Sequence, residues 1–303
     1  MAQQDFTKGA AYMDGRYMPV GQAAIPVLDA GYRRSDVTYD VVGVRNGAFF
    51  RLDDHIHRFR NSMRSLRMQT EESDEQIAAI LNRLVAMAGL RDAYVSMECL
   101  RGAPPPGMTR HPANCRSYLV CLAIPWISVA SEEMMRRGMH LIVSRVRRIP
   151  TESVDPTVKN FHWGDLTQSL FEAQDAGADY AVLLDAEGNV TEGAGFNVMC
   201  VRDGKVVSPA RGALEGITRA SVFELCDEMG VPHEVRDIPA AEFRAADEIF
   251  TCTTAGGIMP VSRIDGRRMN NDAPGPISTR LCDRFWTKRA EGWHATPVDY
   301  SAA

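Results

Sequence analysis

The stretch Asp155-Pro-Thr-Val-Lys-Asn-Phe-His-Trp-Gly-Asp165 sets one lysine, Lys159, between an irregular Ser/Asp/Pro segment and an amphipathic helical run that opens at Gly164. Val158, Phe161 and Trp163 flank it, so its ammonium is expected against apolar and aromatic surface. An amine held there loses hydration and grips its proton less tightly, which frees it to attack a carbonyl. Schiff-base chemistry needs such an amine. Read alone, the stretch suits a solvated loop lysine equally well, and the rest of the chain has to decide.

Composition narrows the field. A chain of 303 residues holds one large domain or two ordinary ones. Apolar content of 45% and charged content of 24% are those of a soluble globular protein. A net charge of −5 offers no electrostatic reason to expect nucleic acid or an anionic membrane as partner. The seven cysteines lack CxxC spacing and sit mostly in apolar runs. They read as reduced core thiols of a cytoplasmic protein, with no disulfide framework and no metal site. The start, MAQQDFTKGA, has no signal-peptide pattern, and the longest apolar run, 118–127, is too short to span a bilayer and contains Pro125.

Working outward from the lysine, hairpin signals recur at Asp14-Gly15, Asn46-Gly47, Asp203-Gly204 and Asp265-Gly266. Such dipeptides tolerate the positive φ angles of two-residue turns and so predict antiparallel strands. A helix starting at Leu52 carries Ile56, Phe59, Met63 and Leu66 on one face, and 74–89 forms another. Strands are expected at 93–100 and 116–126, around the Pro/Gly-rich loop 101–112. The result is a small antiparallel α+β domain over 1–126, then a linker at 127–134. A larger α/β domain of mixed strands and helices fills 135–303. In it we expect a strand at 139–146, a helix at 164–177 stopped by Gly177, strands at 179–184 and 195–202, and a helix from Ile217 to Gly230. Strands near 233 and 248–252 and a helix from about 276 complete it. Residues after Trp293 are expected to be ordered only where they pack on something.

Three features suit a phosphate dianion. The first-turn N–H groups of Ile217 and Thr218 stand at the positive end of the helix that follows Leu214-Glu-Gly. Thr253-Thr254-Ala-Gly-Gly supplies two hydroxyls and open backbone after a strand. Arg58 supplies countercharge. Each also suits plain capping or a solvated face, and Glu192 in Val190-Thr-Glu-Gly-Ala-Gly-Phe-Asn197 suits an exposed turn carboxylate. A serine elbow, HExxH and GxGxxG are all missing, which removes the hydrolase, zincin and Rossmann readings. His162 reads as a structural neighbour of the lysine rather than as a base.

Taken together and in order, Asp54-His-Ile-His-Arg58, Val158-Lys-Asn160, Glu192-Gly-Ala-Gly-Phe-Asn197, Gly216-Ile-Thr-Arg219 and Thr253-Thr-Ala-Gly-Gly257 resemble the fold-type IV pyridoxal-phosphate aminotransferases. That group includes branched-chain and D-amino-acid aminotransferases and aminodeoxychorismate lyase. Ser35-Asp-Val-Thr-Tyr-Asp-Val41 and 159–166 are most similar to the (R)-selective amine transaminases. The resemblance runs from about residue 10 to 270. It implies that Lys159 forms the Schiff base with pyridoxal 5'-phosphate and moves the proton, while Glu192 pairs with the ring nitrogen. It also implies that Arg58, Ile217, Thr218, Thr253 and Thr254 hold the phosphate and that Leu214 packs on the ring. Amine and keto-acid substrates, ping-pong kinetics, (R)-amine or D-amino-acid stereochemistry, and a homodimer with its site near the interface follow as expectations.

Substrate contacts are expected from Tyr39, Val41, Trp163 and Ala255. Arg110 on the 101–112 loop is the expected carboxylate switch. Where the amine-transaminase pattern has a histidine before Ser-Asp, this chain has Arg33-Arg34, so Arg34 is a second carboxylate anchor if it points inward. The alternatives are a D-amino-acid aminotransferase and, further off, a branched-chain enzyme, a lyase or a non-catalytic relative.

Overall fold

The computed structural model describes residues 5–303 and divides into two compact units. The first comprises the described part of Met1–Ile127 together with Val158–Phe161 and Gly292–Ala303, and the second comprises Ser128–Thr157 and His162–Glu291. Two short segments thus depart from the expected division at 127–134. The lysine segment is hydrogen-bonded into the first unit, and the C-terminal segment adds a strand to it.

The first unit is a seven-stranded antiparallel sheet in the order Ala295–Pro297, Ala48–Phe50, Val37–Arg45, Ala93–Leu100, Tyr118–Pro125, Ala10–Met13, Arg16–Pro19. The turns Asp14-Gly15 and Asn46-Gly47 hold positive φ at both residues, 51° and 72° in one and 52° and 77° in the other. That is why these dipeptides close the two-residue hairpins there. The helices Leu52–Ser65 and Asp74–Ala88 cover one face of the sheet. Ser73 and Gln76 form a capping box at the start of the second helix, and Gly89 closes it in the left-handed conformation. Phe59, Ile77, Leu81, Leu84, Val95 and Met97 are fully buried between helices and sheet. Each such side chain contributes about 1.5–3 kcal/mol of hydrophobic stabilisation. On strand Val37–Arg45, Val42 and Val44 join this core, whereas Tyr39 and Val41 lie on the opposite face, paired with Glu98 and Ser96.

The second unit has nine strands, parallel and antiparallel. Their order is His233–Val235, Lys205–Ser208, Phe196–Arg202, Glu248–Thr253, Gly257–Ile264, Met139–Arg147, Tyr180–Leu184, Val190–Gly193, with Arg267–Arg268 beside Gly257–Ile264. Val190–Gly193 pairs with both Tyr180–Leu184 and Phe196–Arg202, so this path closes on itself. The helix Gly164–Asp175 is the crossover between the parallel strands Met139–Arg147 and Tyr180–Leu184, and Gly177 follows its end at φ +68°. Among the described residues, no helix is long and apolar enough to cross a membrane, and no cluster of His, Cys, Asp and Glu is arranged to hold a metal ion.

Candidate active site

Lys159 sits in irregular backbone whose polar groups are satisfied by neighbouring elements. Its carbonyl accepts from Thr38 Oγ1 at 2.7 Å and from the Tyr39 amide at 3.2 Å, and its amide donates to Ser62 Oγ at 3.3 Å. Lys159 Nζ lies 4.4 Å from the centroid of the Tyr39 ring, which in turn packs on Phe161 at 4.5 Å. The amine therefore rests on an aromatic face, supplied by Tyr39 of a distant strand and not by the flanking Val158, Phe161 and Trp163.

In the same unit, Arg58 donates to both oxygens of Asp40, through Nε at 2.7 Å and Nη2 at 2.9 Å, while His55 Nδ1 lies 2.8 Å from Asp40 Oδ1. Asp40 and His55 are fully buried. Burial alone would raise the Asp40 carboxyl, but Arg58 and His55 outweigh it and hold the group well below the usual carboxylate range. Burial also pushes His55 below the ordinary histidine value, and the pull of Asp40 offsets this only in part. Arg58 thus has a fixed orientation. The spacing His55–Arg58–Ser62 puts all three on one side of the helix, a polar edge that the apolar pattern of the sequence did not show.

In the second unit, Glu192 lies on a buried strand, so the exposed turn carboxylate is excluded. Its Oε1 accepts from Arg148 Nε at 3.2 Å and Nη2 at 3.1 Å, and its Oε2 accepts from the Leu214 amide at 2.9 Å. Arg148 Nη1 donates to Asp165 Oδ2 at 2.7 Å. Asn197 is the strand partner of Glu192 and donates through Nδ2 to the Leu214 carbonyl at 2.8 Å. Leu214 is thereby held by both of its backbone polar groups. A Cβ on Gly216 would lie 1.9 Å from Asn197 Oδ1, so only glycine allows this close approach.

The helix Ile217–Met229 begins at Gly216 with no side-chain cap, so its first-turn N–H groups, with the buried Thr218 among them, make a positive end. Arg219 of the same turn is spent structurally, donating to Ser208 Oγ at 2.8 Å and to the Pro209 carbonyl at 3.0 Å. Thr253 ends the strand Glu248–Thr253, and Thr254 and Ala255 form the turn beyond it, where the Ala255 carbonyl accepts from the Val129 amide at 2.8 Å. Trp163 borders Gly195 in this unit, where an added Cβ would meet its ring at 3.4 Å.

Of the substrate residues expected from sequence, Tyr39 and Val41 are buried in the first unit. Arg34 and Arg110 are exposed there and meet: Arg34 Nη1 donates to the Arg110 carbonyl at 3.3 Å. Thr38, Asp40, His55, Ser62, Arg148 and Asp165 were not read from sequence as part of the site. A weak signal existed for Asp165, a carboxylate in the first turn of its helix directly after the lysine segment.

Each unit carries groups of the kind that a phosphorylated pyridine aldehyde uses: the first an amine on an aromatic face and an oriented guanidinium, the second a buried carboxylate bonded to an arginine and a helix start without a side-chain cap. The family model of the class IV amino-transferases matches residues 38–264. A D-alanine aminotransferase of Bacillus licheniformis is 28% identical over 270 residues, covering 88% of this chain and 93% of that protein. A candidate branched-chain-amino-acid aminotransferase of Methanocaldococcus jannaschii is 31% identical, covering 90% and 94%. Among solved structures, the T.th. branched-chain amino acid aminotransferase with pyridoxamine 5'-phosphate superposes with a TM-score of 0.89 at 30% identity, covering 98% of this chain and all of that one. The pyridoxal-phosphate form of the Thermobaculum terrenum enzyme gives 0.85 at 28% identity, covering 97% and 100%. The chain belongs to the class IV aminotransferases, enzymes of the type IV fold that use pyridoxal 5'-phosphate.

Proposed function

We propose that this enzyme moves an amino group from an (R)-amine, or a D-amino acid such as D-alanine, to a keto acid by a ping-pong mechanism. Lys159 is its covalent anchor and its proton-transfer base. The observation that carries this reading is the placement of the Lys159 amine on the Tyr39 ring, with its backbone tied to Thr38, Tyr39 and Ser62.

Pyridoxal 5'-phosphate, when bound, supplies an aldehyde for the amine and a protonated ring that withdraws electrons from the substrate carbon. Glu192, held by Arg148, would pair with the ring nitrogen. Arg58, Ile217, Thr218, Thr253 and Thr254 would hold the phosphate, and Leu214 would pack on the ring. The Lys159 amine would take up and return the proton that leaves the substrate carbon. Tyr39, Val41, Trp163 and Ala255 shape the substrate pocket, and Arg110 meets the carboxylate of the keto acid. The protein works as a homodimer in the cytoplasm, with amines and keto acids as its small-molecule partners.

A second reading, a D-amino-acid aminotransferase, is supported by the contact of the Arg34 guanidinium with the backbone of Arg110, which links the two arginines that could serve a donor carboxylate. The test compares (R)-1-phenylethylamine, D-alanine and L-leucine as donors with 2-oxoglutarate as acceptor. The primary reading expects turnover of the aryl amine. D-alanine activity without aryl-amine activity selects the second reading, and dominance of L-leucine overturns both. Lys159→Ala is expected to abolish the visible absorption that the bound cofactor gives the wild type.

A further inference from the structure

Thr38 and Asp40 stand two residues apart on one strand, and Arg58 and Ser62 stand one turn apart on one helix. These four residues make two sets of contacts. Asp40 orients Arg58, at 2.7 and 2.9 Å. Thr38 and Ser62 grip the carbonyl and amide of Lys159 from either side, at 2.7 and 3.3 Å. Alternation along a strand puts residues i and i+2 on one face, and helical spacing does the same for i and i+4. The arginine and the lysine backbone are therefore referenced to the same rigid strand–helix pair.

We propose that Thr38 and Ser62 are positioning residues that set the reach of the Lys159 amine while leaving the seating of the phosphate to Arg58 and Asp40. The inference rests on the reading of Lys159 as the covalent anchor. Both hydroxyls are buried, at 0% and 2% exposure, so water does not take over a lost contact. The lysine segment has no regular secondary structure of its own to fall back on, because Lys159 sits between bends and an isolated bridge from Asn160 to Thr38. The Tyr39 amide still donates to the Lys159 carbonyl at 3.2 Å, so without the two hydroxyls the segment keeps its chemistry but is held less closely.

The step at stake is addition of the Lys159 amine to the aldehyde carbon, with the aldehyde oxygen leaving as water. Two probes separate reach from seating. Pyridoxamine 5'-phosphate carries an amine in place of the aldehyde and cannot bond to the lysine, so its affinity reports seating alone. Borohydride trapping of pyridoxal 5'-phosphate followed by peptide mass spectrometry reports attachment to Lys159. The variants are Thr38→Val, Ser62→Ala, their double replacement, and Thr38→Ser, which restores the hydroxyl.

A displacement of the order of an ångström is enough to cost a reaction about a hundredfold, so attachment in Thr38→Val and in the double variant should slow by roughly tenfold or more. Pyridoxamine 5'-phosphate affinity should stay near that of the wild type, and Thr38→Ser should recover the attachment rate. Ser62→Ala removes a single oxygen and remains informative where the larger changes perturb folding. Attachment rates equal to wild type in Ser62→Ala and Thr38→Val overturn the proposal. So does a parallel loss of pyridoxamine 5'-phosphate affinity, which would mark a general structural role. Failure of the wild type itself to trap the cofactor on Lys159 is a separate outcome, and it removes the functional reading together with this inference.

Discussion

Arg148 lies between Glu192 and Asp165, donating twice to the first and once to the second at 2.7–3.2 Å. The three side chains are only 9%, 10% and 7% exposed. Burial works against the charge of the guanidinium, and the two carboxylates outweigh it. Removing the arginine leaves two buried carboxylates without their shared countercharge, although backbone amides still donate to both. Arg148→Met should therefore lower the unfolding free energy by about 3–5 kcal/mol in a denaturant titration. Arg148→Lys should recover only part of this, because an ammonium lacks the forked donors that serve two carboxylates at once. Near-wild-type stability in Arg148→Met would mean that the carboxylates do not depend on the arginine.

His55 gives a pH dependence with a definite sign. Its pKa in the folded protein is lowered from the ordinary 6.5, chiefly by burial. The unfolded chain therefore binds a proton in the window just below 6.5 that the folded protein refuses, so stability is full above this window and falls as pH drops through it. Asp40 is also depressed, but from 3.8, so its loss begins at much lower pH and the two windows separate. Unfolding measured between pH 8 and 5 should show a downward slope below pH 6.5 that flattens in His55→Gln. An unchanged slope in that variant would place the proton uptake elsewhere.

Much of this arrangement was legible in the chain, and what was not shares one cause. The hairpin dipeptides declare themselves because few residues tolerate their backbone angles, and the helix at Leu52 declares its buried face through Ile56, Phe59 and Met63. His55 and Ser62 are buried on that same helix, yet a polar residue reveals burial only through its partner. Those partners, Asp40 and Lys159, are distant in the sequence. The arginines before the lysine segment make the point sharply. The Arg145 side chain is 92% exposed and that of Arg148 is 9% exposed, and nothing local distinguishes the two. Glu192 was recognisable through family resemblance; its own neighbours also described an exposed turn.

The C-terminal segment is a structural part of the first unit rather than a loose end. Ala295–Pro297 pairs with Ala48–Phe50, Tyr300 Oη donates to the Leu90 carbonyl at 2.7 Å, and Asn82 bonds to Asp299 at both its amide and its carbonyl. Arg91 stacks on the Tyr300 ring at 4.9 Å. Truncation after Glu291 should lower the melting temperature by several degrees, since a few kcal/mol shifts a domain of this size by roughly 2–4 °C per kcal/mol. Tyr300→Phe should account for only a small part of that, about the net worth of one hydrogen bond, near 1 kcal/mol. A truncated chain that melts with the wild type would show that the added strand contributes nothing to the sheet.

The contact between Arg34 and the Arg110 carbonyl makes a prediction about kinetics, because it joins the short helix Ala30–Arg34 to the Pro/Gly-rich loop. In the proposed function Arg110 meets the keto acid, and Arg34 steadies the backbone that carries it. The two half-reactions of a ping-pong enzyme can be measured apart, so a group that serves only the acceptor shows up in one of them. Arg110→Ala should raise KM for pyruvate by roughly tenfold, the worth of one charge-assisted hydrogen bond, with little change for (R)-1-phenylethylamine. Arg34→Ala should move the same parameter in the same direction by less, and the double variant should fall short of the sum, because the residues act through one loop. Full additivity would separate the two arginines into independent carboxylate contacts, and equal loss in both half-reactions would take Arg110 out of acceptor recognition altogether.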